Sequence, residues 1–139
     1  MLQLFLSRPF ETTAFSLTPS TAPEQVIQSQ LQSLQEDDMP KVYSFASPRN
    51  KMQVGESVER FAQMVQNANG PYRYLIRHES HQLLLESTMA ASRQYLVRII
   101  PNAKEYPTSP PRDYWWSLSR CPTRELAGCF LVDAVLPTS

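Results

Sequence analysis

The chain has 139 residues, the length of one domain, and a chain this long buries about two thirds of its unfolded surface, enough for a core without staples. Thirteen Lys and Arg balance thirteen Asp and Glu, so the formal net charge is zero and a nucleic-acid reader's basic surplus is missing. With 42% hydrophobic residues and no apolar run near the ~20 residues of a membrane span, neither wholesale disorder nor a spanning helix fits.

Residues 1–20 read as an arm ahead of a domain over 21–139. Leu2, Leu4 and Leu6 alternate as in a half-buried edge strand. The stretch from Leu2 to Leu6 is too short for a secretory signal. Arg8 followed by Ser and Thr is a thin version of a transit segment, so an intracellular, soluble protein of cytoplasm or plastid is expected. Thr21 and Glu24 suggest a capping box opening a helix through Ile27, Leu31 and Leu34, with Gln25, Gln28, Gln32 and Gln35 on its solvated side. Asp38 is the predicted cap of a second helix carrying Val42, Phe45 and Ala46, which Ser47-Pro48 should end. An irregular stretch containing Gly55 follows. Ser57 then caps a third helix with Val58, Phe61, Met64 and Val65 on one face, stopped by Asn67 to Gly70.

The second half changes period. Tyr72 to Ile76 is β-rich, and His81 to Ser87 is a strand candidate. In Arg93 to Ile100, Tyr95, Val97 and Ile99 alternate with Leu96, Arg98 and Ile100. A proline-rich loop, Pro101 to Arg112, leads to two last strands, Tyr114 to Arg120 and Gly128 to Leu136. Cys121 and Cys129 fit no zinc spacing and read as two reduced thiols, unless they meet across this last hairpin. Helices first and strands after is the order of an α+β domain: three N-terminal helices packed on a curved antiparallel sheet of four to six strands.

That layout resembles the nuclear-transport-factor-like, cystatin-like cone fold. Ala46 to Lys51 followed by Phe61 to Val65 resembles the helical half of an uncharacterised branch found in bacteria and plants. Trp115 to Arg120 with Gly128 to Val135 resembles its closing hairpin, with Phe130 where a tryptophan is common. The resemblance runs from about Glu24 to Leu136 and rests on packing motifs. It implies an open cone with a concave pocket. Some members of the superfamily are isomerases, cyclases or dehydratases; others bind proteins or only dimerise, so fold alone does not choose.

The two histidines, His78 and His81, are one residue short of an H-E-x-x-H motif. On an unbroken strand they face opposite ways, which argues against a metal site, whereas Glu79 and His81 share a face as a carboxylate–imidazole candidate. Asp133 interrupts an apolar strand. It is either solvated or inside the cone, where burial would suit it to acid–base work beside Tyr95 or Tyr72, as in the superfamily's steroid isomerase. Tyr114, Trp115 and Trp116 are consecutive and must divide between two faces, so one tryptophan should line the core or pocket and the other the outer sheet. Arg73, Arg77, Arg93, Arg98, Arg112, Arg120 and Arg124 read as solvated strand faces. The expectation is therefore a binding or interaction module without cofactor. A pocket for a small apolar ligand is lined by Tyr72, Tyr95, Trp115 and Trp116, and a sheet face could serve a protein partner or a second copy. The alternative is a small-molecule isomerase or cyclase using His81, Glu79, Tyr95 or Asp133.

Overall fold

The computed structural model describes residues 16–122 and 124–138, so the arm through Leu2, Leu4 and Leu6 lies outside the described residues. Four α-helices precede the sheet, one more than the sequence suggests: α1 (Pro23–Gln35), α2 (Met39–Ser44), α3 (Pro48–Gln53) and α4 (Val58–Gln66).

Helix α1 starts one residue later than the Thr21 reading. Ala22 is the cap, its N–H donates to Gln25 Oε1 at 2.9 Å, and Pro23 supplies a preset φ at the first position. Thr21 Oγ1 instead accepts from Thr18 N–H at 3.0 Å and closes the preceding turn. Asp38 caps α2 by accepting from Lys41 N–H, and Ser57 caps α4 by accepting from Arg60 N–H, both at 3.2 Å. Ser47-Pro48 ends one helix and also begins the next. Ser47 Oγ accepts from Asn50 N–H at 3.1 Å and Pro48 occupies the first position of α3.

The β-rich segment at Tyr72 forms a 3-10 helix, Pro71–Leu75, not a strand. The reason is tertiary: Tyr72 OH donates to Val135 O at 2.7 Å and Tyr114 OH donates to Pro71 O at 2.6 Å, pinning the turn between the ends of two strands. A second 3-10 helix, Arg124–Leu126, interrupts the last connection, so helical structure is not confined to a leading block.

The sheet is an open antiparallel meander of β1 (Ser80–Met89), β2 (Ser92–Ile100), β3 (Arg112–Arg120) and β4 (Phe130–Pro137), paired in chain order. Tyr95 faces Trp116 and Val97 faces Tyr114 across β2 and β3. With Ile99 and Leu118, these side chains form the buried inner face. The apolar stripe of α1, Val26, Ile27, Leu31 and Leu34, packs into the same core. Each such large side chain contributes about 1.5–3 kcal/mol on burial.

The predicted alternation along β4 fails at Asp133. Val132 pairs with Leu118 and Ala134 with Ser117, which leaves Asp133 as the extra residue of a β-bulge. Beside the bulge, the chain after α2 bonds the free edge of β4. Val132 N–H donates to Phe45 O and Ser47 N–H to Val132 O, each at 2.8 Å. Cys121 and Cys129 are buried thiols at the foot of the β3–β4 hairpin, where Cys121 N–H donates to Cys129 O at 2.7 Å. Gly128 turns there with φ of 84°, a conformation that favours glycine.

Candidate functional site

Between the helices and the β3–β4 side of the sheet lies a cavity of about 200 Å³. Leu34, Val42, Phe61 and Val65 come from α1, α2 and α4, and Trp116 and Val132 form the wall opposite. For scale, a dry cavity of about 150 Å³ holds benzene, so this one suits a slightly larger apolar body.

Its polar lining is mostly committed to the protein itself. Gln30 is buried on the apolar face of α1, donates from Nε2 to Val42 O at 3.0 Å and accepts from Trp116 Nε1–H at 2.8 Å. Asn50 Nδ2 donates to Val132 O at 3.2 Å, holding α3 against the bulge. Tyr72 reaches the cavity wall but spends its hydroxyl proton on Val135 O, and partial burial raises its phenol above the ordinary value. Asp133, half-buried at the bulge, accepts from Ser119 Oγ–H at 2.6 Å and borders both this cavity and a neighbouring cleft. Tyr72 and Asp133 are the ionisable groups in the cavity wall among the described residues.

The other candidates lie elsewhere. Tyr95 is buried inside the core and does not line the cavity. Its hydroxyl has no partner in good hydrogen-bonding geometry among the described residues, although the Glu24 carboxylate and the Arg93 guanidinium stand near enough to shift its titration. Burial first, then the carboxylates of Glu24 and Glu86, hold its phenol well above the ordinary range, against a small opposing pull from Arg93. Tyr95→Phe removes an unsatisfied buried group and is expected to leave stability unchanged or to raise it by up to about 1 kcal/mol. Urea unfolding midpoints test this, and a clear loss of stability would mean that the hydroxyl has a partner.

Trp115 points to the outer sheet face, where it stands between Leu96 and Leu136. Glu79 does not pair with His81: its carboxylate accepts from Ala103 N–H at 2.9 Å, fixing the proline-rich loop. His78 and His81, expected on opposite faces, meet instead, with Nε2 of His78 2.9 Å from Nδ1 of His81. His78 precedes β1 and is not in a strand, so the alternation rule does not reach it. Among the described residues no group of three His, Cys, Asp or Glu side chains is set to hold a metal ion, and no helix is long and apolar enough to cross a membrane.

Sequence reasoning missed Gln30 and Asn50. A glutamine in an apolar stripe, three residues after Ile27 and four before Leu34, was the available signal for the first. The second has no local signal, because its partner Val132 is 82 residues away.

A helical layer on one face of an open four-stranded antiparallel sheet, enclosing a small apolar cavity, defines the class: an α+β domain with an internal cavity. Within it, the chain belongs to the family defined by a domain of unknown function, DUF4864, which matches residues 18–106. The match spans the helices and the first hairpin and stops before β3, so Trp116 and Asp133 lie beyond it. No curated protein and no solved structure matches the chain.

Proposed function

We propose that this protein is a binding module of the cone-shaped, nuclear-transport-factor-like kind, which takes a small apolar ligand in the cavity beside Trp116. The observation that carries this reading is an apolar cavity whose deep polar groups are already bonded to the protein. Such a lining discriminates by shape and offers few bonds to a polar ligand. An acid–base enzyme has less support, because Asp133 and Tyr72 border the cavity while His81, Glu79 and Tyr95 do not.

A thermal-shift screen against small apolar and carbonyl compounds tests the reading. A ligand at ~100 times its dissociation constant adds about 2.7 kcal/mol, a readily seen shift. Val54→Phe, at a half-buried position in the cavity wall, is expected to fill the site and abolish the shift while the fold persists. A hit that survives Val54→Phe unchanged would show binding elsewhere and sink the proposal.

A second reading concerns the outer sheet. Leu85 faces Leu96, Leu96 faces Trp115, and Trp115 faces Leu136, one apolar row across all four strands. Leu85 and Leu136 are 58% and 55% exposed. The row supports a homodimer formed through this face. Light scattering on wild type and Trp115→Glu checks it: a dimer that the substitution dissociates is expected, and a wild-type monomer at all concentrations removes the reading.

A further inference from the structure

The loop end of the domain carries a second feature, independent of the apolar cavity. Tyr74 is buried in the 3-10 helix, and two guanidinium groups lie against its ring. The central carbon of Arg73 is 4.2 Å from the ring centroid and that of Arg112 is 4.1 Å. The two positive charges are therefore within about 8 Å of each other and repel.

Neither arginine has an acidic partner among the described residues, although both are half-buried. Arg73 donates to Gly70 O and to the Tyr74 hydroxyl, and Arg112 Nε donates to Ser109 Oγ at 3.2 Å. Both terminal nitrogens of Arg112 keep their protons unassigned. The nearby carboxylate is already taken: Asp113 accepts from Arg98 Nε and Nη2 at 2.9 and 3.0 Å. Arg98 thereby holds the acidic side chain of this cleft, and in the neighbouring cleft that Arg73 also borders, Asp37 and Glu105 are held by Arg77.

These groups line a cleft of about 510 Å³ that also exposes Asn69 and Thr138, both hydrogen-bonding side chains. Two guanidinium groups set against one aromatic ring, in a cleft whose carboxylate, Asp113, is bonded to Arg98, are arranged for an anion. A free guanidinium edge beside a second cation fits a doubly charged, tetrahedral oxyanion. We infer that Arg73 and Arg112 form a binding site for a phosphate group, carried by a small phosphorylated molecule that occupies the rest of the cleft. Tyr74, held edge-on by Tyr106 at 4.8 Å between centroids, fixes both guanidinium planes.

The test is calorimetric titration of the full chain at low salt with inorganic phosphate, glycerol 3-phosphate and vesicles containing phosphatidic acid. Binding that weakens as salt rises is expected for the wild type. Arg112→Gln and Arg73→Gln should each weaken it about tenfold or more, the loss of one charge-assisted bond, while Arg60→Gln on α4 leaves it unchanged. Circular dichroism confirms that each variant is folded before titration, and Arg112→Lys provides a second variant that keeps the charge but loses the fork. Preference for glycerol 3-phosphate identifies a free metabolite as the source, and preference for vesicles a lipid headgroup. No binding of any of the three probes to folded wild type, or equal binding by the glutamine variants, would overturn the site.

Discussion

Replacing Gln30 with leucine should destabilise the protein by about 2–3 kcal/mol, a large fraction of a domain's usual ~5–15 kcal/mol. The glutamine is 3% exposed and makes two bonds of unequal consequence. Its Nε2 donates to Val42 O, which also accepts from Phe45 N–H at 3.3 Å, so that carbonyl keeps a partner when Gln30 is lost. Its Oε1 is the acceptor for Trp116 Nε1–H at 2.8 Å, and Trp116 is fully buried. Leucine leaves that indole proton with nothing to bond, and an orphaned buried donor costs about 1–3 kcal/mol. Trp116→Phe removes the donor and leaves Gln30 Oε1 orphaned in turn, with a packing loss added. The double variant removes both partners, so its cost should fall short of the sum by about 1–2 kcal/mol. Urea unfolding of the four proteins measures this coupling. Strict additivity would mean that the two side chains do not depend on each other. Because both line the cavity, the same series asks whether the site's apolar wall survives without the bond behind it.

What the sequence revealed depended on how local each signal was. Asp38 and Ser57 were legible as caps because a cap bonds a backbone N–H three residues on. The strand pattern of Tyr95, Val97 and Ile99 was legible because one face of β2 is buried and the other is not. Ser47-Pro48 signals a stop by the proline rule alone, although a serine before a proline also opens a helix. The segment at Tyr72 departs from its β-rich composition because tyrosines favour strands only where a pleated surface receives them, and here Tyr72 bonds Val135 O from a 3-10 turn. The bulge at Asp133 defeated period-two counting from that residue onward. Site residues fared worse than elements. Trp116 and Tyr72 reach the cavity, but Tyr95, Glu79 and His81 do not, since which side of a sheet encloses a void is set by helices far away in sequence.

Stability should fall by up to about 3 kcal/mol between pH 6.5 and pH 4 through His78 alone. This ring is 3% exposed and sits 2.7 Å through Nδ1 from Leu75 O, which can only accept, so Nδ1 carries the proton. Nε2 is then the acceptor for His81 Nδ1–H, which leaves His81 Nε2 bare, 3.0 Å from Gln28 Oε1, so that this last contact becomes a hydrogen bond when the Gln28 amide turns its NH2 toward the ring. The relay ties α1 to β1 and to the 3-10 helix. Burial is the main cause that lowers His78 to about 4; the Leu75 carbonyl opposes it and the neighbouring His81 adds to it. Burial lowers His81 as well, so its contribution has the same sign. An unfolded histidine titrates near 6.5. Between that value and about 4 the unfolded chain binds a proton that the folded chain refuses. The stabilisation is therefore present in full above pH 6.5 and is lost as pH falls through the window. Urea midpoints from pH 7 down to pH 4 should drop more steeply for wild type than for His78→Gln, which has no ring to titrate. Matching pH profiles, or a His78 ring resonance that titrates near 6.5 in the folded protein, would rule the relay out as the source of acid sensitivity. A steep fall that His78→Gln abolishes would identify the buried His78 ring as the source of the domain's acid sensitivity.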